Sequence, residues 1–358
     1  MSRRPIALAS LRPERVCILK PSSLGDVVNA LPVLSALREH WPGAQIAWVV
    51  NRGLRGLLDG HPELDEVIPF DRGAAGSGPG AVAALWRFSV GLRRRRFDLA
   101  IDLQGLLRSA LMALGTGAAT RVGLADAREG APRLYTHRVA PPPGEAHAVD
   151  RLLKVAQAFG ADVSRPRFVV PIGEDDRRWA REALARVPSP RLALNPGARW
   201  PTKRWPPKHF AEVARRAVEA RGAGLVAFGA EEDRPLVDEL RRELAGLPLL
   251  DLCGRTTLPQ LAALAAESDV VLSNDTGPLH LAAAAGARVV GVYTCTSPKL
   301  NGPYGPRAVA VRTGVWCAGH YVRRCGRLEC MDELSPGRVW PAVLGQLEAA
   351  GGTSPAVA

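Results

Sequence analysis

The chain has 358 residues, 47% hydrophobic and 23% charged, enough for two ordinary domains with a sizeable core, which excludes a peptide or a disulfide-stapled module. No window approaches the ~18 uninterrupted apolar residues of a membrane span, and the apolar run at 6–9 falls short of the roughly 7–15 residues of a signal sequence, so an unexported, cytoplasmic protein is expected. Lys and Arg exceed Asp and Glu by 47 to 35, a surplus of +12 that favours an anionic partner: nucleic acid, a nucleotide, a phosphorylated glycolipid or an acidic membrane surface.

Short apolar runs alternate with amphipathic stretches from the start. Those at 16–19, 46–50, 67–70 and 99–103 read as strands buried on both faces of a parallel sheet, most of them followed by a helix. The segment 73–80, made of Gly, Ala, Ser and Pro, reads as a mobile surface loop, and Arg93 to Arg96 close a helix where cations suit its dipole. Residues 163–190, with Pro166, Pro171, Pro188 and Pro190 around charged residues 174–178, read as a linker and a surface helix, which sets a domain boundary near 172. The alternation restarts at 192–195, 225–228, 249–252, 270–273 and 289–292. Two tandem α/β units follow, residues 1–172 and 173–334, then a helix opened by Ser335-Pro336 over 335–350 and a disordered tail at 351–358.

Three turns carry chemistry. The first strand runs into Pro21-Ser22-Ser23-Leu24-Gly25-Asp26, where a glycine admits close backbone approach and an acid sits at the carboxyl end of a parallel strand; Asp26 reads either as a reactive carboxylate or as a helix cap. The turn is neither GxxxxGK nor GxGxxG. After 192–195, the loop from Pro196 to Trp205 gathers Arg199, Thr202, Lys203, Arg204 and the Gly197 backbone, donors that converge on a diphosphate unless the loop is merely basic. Glu231, Glu232 and Asp233 at the next strand end suit a ribose hydroxyl pair or a helix start. The strand at 270–273 leads into Asn274-Asp275-Thr276-Gly277-Pro278-Leu279-His280, whose helix start is an anion site supplied by Thr276 and Gly277, with His280 in the first turn either facing it or packed in the core.

The segments LKPSSLGDVVNALP (19–32), NPGARWPTKRW (195–205) and SNDTGPLHLA (273–282) resemble the lipopolysaccharide heptosyltransferases of glycosyltransferase family 9, and His147 to Arg151 with Arg128 and Tyr135 to Arg138 resemble the type that adds the first heptose. The resemblance implies a GT-B architecture, two Rossmann-like domains facing a cleft, with the acceptor on the first, an ADP-heptose donor on the second and the terminal helix returning to the first. It implies Asp26 as general base, Lys203 on the donor phosphates, Asp275, Thr276, Gly277 and His280 on the donor diphosphate and sugar, and Glu231 or Glu232 on the ribose. The implied acceptor is acidic Kdo-lipid A, for which Ser23, Gly25, Arg52, Arg55, Arg128 and Arg138 are the candidate contacts. Peripheral attachment to the anionic inner membrane, a monomer and no cofactor complete the expectation. One base suffices for an inverting transfer, and no Asp-x-Asp triplet occurs in the sequence, so metal independence is expected.

Cys17, Cys253 and Cys295 are isolated in apolar segments, whereas Cys317, His320, Cys325 and Cys330 fall within fourteen residues. These four lack the paired C-x2-C half of a strong zinc motif, so a packed loop of reduced cysteines is the reading and a structural zinc the lesser alternative. Three other functions compete: a family 9 enzyme with another nucleotide sugar or a later core acceptor, a non-catalytic nucleotide-sugar-binding protein, and a nucleic-acid module. The last is disfavoured by 5% aromatics and no recognition motif.

Overall fold

The computed structural model describes residues 7–71 and 79–351; residues 73–78 of the expected loop and 352–358 of the expected tail lie outside them. The chain divides into two compact units, Met1–Pro171 and Ile172–Ala358. The first holds β1 (Arg15–Leu19), β2 (Gln45–Asn51), β3 (Glu66–Phe70), β4 (Leu99–Asp102), β5 (Thr120–Leu124) and β6 (His137–Val139) in the order β3-β2-β1-β4-β5-β6. The second holds β7 (Arg191–Asn195), β8 (Gly224–Ala227), β9 (Leu249–Asp251), β10 (Val270–Asn274), β11 (Val289–Tyr293) and β12 (Ala308–Arg312) in the order β12-β11-β10-β7-β8-β9. Every pairing is parallel.

Numbered from its own first strand, each sheet has the same doubly wound order, 3-2-1-4-5-6. The strand order therefore reverses between β1 and β4 in one unit and between β7 and β10 in the other. In open α/β sheets the loops at the carboxyl ends of those two strands diverge and leave a crevice. The central strands are apolar along their length, with Val16 to Leu19 and Val270 to Leu272 fully buried, because helices cover both sheet faces.

β5, β6 and β12 escape the sequence reading for a shared reason. They lie at or next to a sheet edge and are not buried along their length: charges interrupt Thr-Arg-Val-Gly-Leu and His-Arg-Val, and Ala-Val-Ala-Val-Arg is half-exposed. The expected surface helix is Glu174–Leu184, with Glu174, Asp175 and Asp176 in its first turn, where acids complement the helix dipole.

One expectation is corrected. The terminal helix Pro336–Gly351 belongs to the second unit, packing on the helix Pro207–Arg221 and on β10, β11 and β12. Its apolar side, Val339, Val343 and Leu347, joins Leu334, Phe210, Leu272 and Val292 in one core. Trp205 anchors this corner. Its fully buried ring meets Phe210 edge-on at 5.0 Å, its indole N–H donates to the Leu334 carbonyl at 2.6 Å, and its backbone N–H donates to Asn274 Oδ1 at 3.1 Å.

Trp205→Ala should therefore destabilise the second unit by about 3–5 kcal/mol through the cavity it leaves. Trp205→Phe, which keeps most of the packing but orphans the Leu334 carbonyl, should cost about 1–3 kcal/mol. Denaturant midpoints of the two variants check the order; a Phe variant as stable as the wild type would mean that the indole N–H contributes nothing.

Candidate active site

In the first unit β1 ends at Leu19, and Lys20 to Ser23 lead into the short helix Leu24–Val28. Asp26 Oδ2 accepts from the Ser23 N–H at 2.9 Å and the Ser23 hydroxyl at 2.6 Å, so Asp26 does close the helix start. Its side chain nevertheless stays 47% exposed, and Oδ1 lies 3.8 Å from Lys20 Nζ. Lys20 is buried and its ammonium donates to the Leu103 carbonyl at 3.1 Å. Burial pushes its pKa down, and the charges of Asp26 and Asp102 pull it partly back.

Asp102, at the end of the neighbouring β4, is buried. Its Oδ1 accepts from the Gln104 and Gly105 N–H groups (2.9 and 3.0 Å), its Oδ2 from the Ser109 and Tyr135 hydroxyls (2.8 and 2.7 Å). Burial raises its pKa in spite of these four donors. Tyr135 reaches it across Gly123, where a Cβ would stand 2.4 Å from the ring. The loop so fixed presents Gln104, whose Oε1 accepts from the Ser22 N–H at 3.1 Å. Between the two loops lies a cavity of about 180 Å³ lined by Ser22, Asn51, Phe70, Gln104, Arg108 and Glu129, among others.

The expected acceptor contacts divide. Ser23 and Gly25 belong to the Asp26 turn. Arg52 follows directly on β2 and pairs with Asp71 at 3.4 Å, and the Arg128 N–H donates to the Gly105 carbonyl at 2.9 Å, which places its charge within reach of Lys20. Arg55 instead pairs with Asp59 at 2.9 Å, and the Arg138 guanidinium donates to the Pro132 carbonyl at 2.8 Å.

In the second unit the loop after β7 is stitched to the end of β10, since Asn274 Nδ2 donates to the Pro196 carbonyl at 2.8 Å and Asn274 Oδ1 receives the Trp205 N–H. This brings Lys203 Nζ to 2.6 Å from Asp275 Oδ2. Thr296 Oγ1 donates to the same oxygen, and His280 Nε2 stands 3.7 Å from Oδ1. Burial would raise the Asp275 pKa, but the His280 hydrogen bond and the Lys203 charge prevail and hold it down at about 2. Thr202 is buried with its carbonyl taken by the Thr294 hydroxyl, so it shapes the loop. Thr276 caps the helix Gly277–Ala284 with extended backbone and no side-chain hydrogen bond; Pro278 has no N–H and the Leu279 N–H donates to the Thr276 carbonyl at 3.1 Å, which leaves the Gly277 N–H at the helix start for a ligand. His280 is buried, and its Nδ1 has no partner among the described residues.

Glu231 and Glu232, in the short turn Glu231–Asp233 after β8, are both exposed, and Glu231 lies 3.9 Å from Arg234. Their neighbour Asp233 is half-buried with its pKa raised by burial, and it faces the Lys203 loop: a Cβ on Gly197 would meet its carboxylate at 2.2 Å. The sequence reading placed Asp233 among the strand-end carboxylates and missed Thr296, Lys20 and Asp102. Lys20 and Asp102 each end a buried strand at the reversal of strand order, a placement that only the sheet order reveals.

All six cysteines are free thiols. Cys330 is buried in the second core, Cys317 half-buried, and Cys325 and His320 exposed; among the described residues no three His, Cys, Asp or Glu converge as metal ligands would.

The model of glycosyltransferase family 9 (heptosyltransferase) matches residues 85–330. The chain is 32% identical to lipopolysaccharide heptosyltransferase 1 of Pseudomonas aeruginosa over 87% of each chain. It is 29% identical to the lipopolysaccharide core heptosyltransferase OpsX of Haemophilus influenzae over 82% of each. Its fold is similar to that of the E. coli heptosyltransferase WaaC with ADP, with a TM-score of 0.72 and 25% identity over 93% of this chain and 99% of that one. With a GT-B-like α/β fold and this match over most of its length, the chain belongs to glycosyltransferase family 9 and is a glycosyltransferase of the heptosyltransferase kind.

Proposed function

We propose that the protein transfers heptose with inversion from ADP-heptose to the Kdo-lipid A inner core of lipopolysaccharide, with Asp26 as general base. The observation that carries this reading is a lysine–aspartate pair at the strand-order reversal of each unit, Lys20 with Asp26 and Lys203 with Asp275. The relatives named above, heptosyltransferases of lipopolysaccharide, support the sugar and the acceptor.

An inverting transfer needs one base, which takes the acceptor hydroxyl proton as that oxygen attacks the anomeric carbon opposite the leaving ADP. Asp26 is the exposed carboxylate for this task, with the Lys20 ammonium 3.8 Å from it. In the resting site Asp275 holds Lys203; an arriving diphosphate shares that cation and takes the Gly277 N–H, which together carry the negative charge of the leaving group. His280 and Asp275 frame the sugar, and Glu231, Glu232 or Asp233 meets the ribose. Charge is thereby supplied by the protein itself, so the reading is metal-independent. The enzyme works as a monomer at the anionic inner face of the membrane.

ADP release from ADP-heptose, measured with and without Kdo-lipid A in EDTA, tests the whole reading: acceptor-dependent release should persist in the chelator. Inert protein that still binds ADP-heptose would move the search to a later core acceptor. Asp26→Asn should lose about 10²–10⁴-fold in kcat with donor affinity unchanged, and a variant retaining near-normal turnover would remove Asp26 from the chemistry. Lys203→Met should cut kcat by about 10²–10³-fold and also weaken ADP. Lys20→Met removes a cation beside Asp26, so the acid limb of kcat/KM should move to higher pH; an unmoved limb would show that the two groups are not coupled.

A further inference from the structure

The helix Leu107–Gly115 has its polarity reversed. Ser109, Ala110, Met112 and Ala113 are buried, while Leu107, Leu111 and Leu114 are 42%, 36% and 43% exposed. Their spacing of four and then three residues lines them up on the outward face. Beside this helix runs Pro79–Arg94, on which Trp86 is 66% exposed. The two helices meet where Gly115 lies against Ser89, a Cβ there standing 2.4 Å from the Ser89 hydroxyl, one turn along from Trp86. Four of the six large apolar side chains exposed among the described residues therefore belong to one pair of touching helices. Scattered exposed leucines need no explanation, but such a cluster does.

The surroundings of the cluster are cationic. Arg87 adjoins Trp86, Arg93 and Arg94 end the same helix, and Arg108 follows Leu107; all four are exposed, and among the described residues none is paired with a carboxylate. Acids border it at two points: Glu129 accepts from the Leu107 N–H at 3.2 Å, and Glu66 pairs with Arg95 at 2.7 Å. The first turn of the leucine helix, through Arg108 and Ser109, also lines the cavity that Ser22 shares beside the Asp26 turn.

We infer that this face is where the enzyme rests on an anionic bilayer. Trp86 and the three leucines enter the boundary between headgroups and acyl chains, and the arginines meet lipid phosphates. Two features select a bilayer over a second copy of the chain. An isologous contact would set the same arginines against one another, and an aromatic-and-leucine face rimmed with arginine has the composition of a membrane interface. The inference rests on the proposed reading only in that a lipid-linked acceptor gives the contact a purpose: an acceptor glycan projecting from the membrane would enter the cavity at the end of the same helix.

The test is co-sedimentation with vesicles of phosphatidylethanolamine and phosphatidylglycerol, against phosphatidylcholine alone, with neither donor nor acceptor present. Wild type should bind the anionic vesicles and partly detach in high salt. The double variant Leu111→Lys and Leu114→Lys, more positive than wild type but without the apolar stripe, should bind at least ~10-fold less, with its unfolding midpoint unchanged. Arg87→Gln with Arg94→Gln should lose binding to anionic vesicles only. With an acyl-free, water-soluble acceptor the lysine variant should turn over like wild type, and with the acceptor embedded in vesicles it should fall behind. Equal sedimentation of wild type and lysine variant would overturn the inference, as would a wild-type dimer that the variant splits without change in vesicle binding. A wrong donor or acceptor would leave the vesicle result intact, so the two readings fail separately.

Discussion

Asp275 is a charge that the second unit has to keep. A carboxylate at the end of a buried central strand is costly unless cations and donors surround it, and here Lys203, His280 and the Thr296 hydroxyl come from three different segments to do so. The loop after β7 must fold back on β10 to deliver Lys203, which explains why Asn274 ties down both its ends and why Trp205 closes it against the core. Removing the carboxylate would leave Lys203 and His280 without the group that orients them.

The two units solve related problems with opposite exposure. In the first, the lysine of the pair is buried and the aspartate half-exposed; in the second, the aspartate is buried and the lysine is the more exposed member. The same doubly wound frame thus presents a carboxylate at one reversal point and an ammonium at the other. On the proposed reading these are a base for a hydroxyl proton and a cation for a diphosphate, so the division of labour follows from which partner each sheet end hides.

Much of this was legible beforehand because central parallel strands are apolar on both faces and turns at their carboxyl ends carry polar residues without periodicity. Runs such as 16–19 and 270–273 announced β1 and β10, and the turns at Asp26, Lys203 and Asp275 followed from them. The edge strand β6, three residues with a central arginine, lacked that signature. Lys20 and Asp102 were hidden because a single charge after an apolar run looks like the end of a strand, and only the sheet order puts β1 beside β4. The destination of the terminal helix was illegible for a different reason: its amphipathic pattern states that it packs, not on what. Arg55 and Arg138 were plausible by charge alone, and the structure gives each a local partner.

The place of the last helix has a consequence for biosynthesis. Domains generally fold as units during translation, the amino-terminal one first, and every strand and most of the core of the first unit are complete well before residue 172 is made. The second core cannot close before Val339, Val343 and Leu347, which follow every strand of its sheet, have been made. Until then the apolar sides of the helix Pro207–Arg221 and of β10 to β12 lack their cover. A stop codon just before Pro336 would spare every strand of both sheets, yet yield a chain with an open core, a substrate for chaperones and proteases.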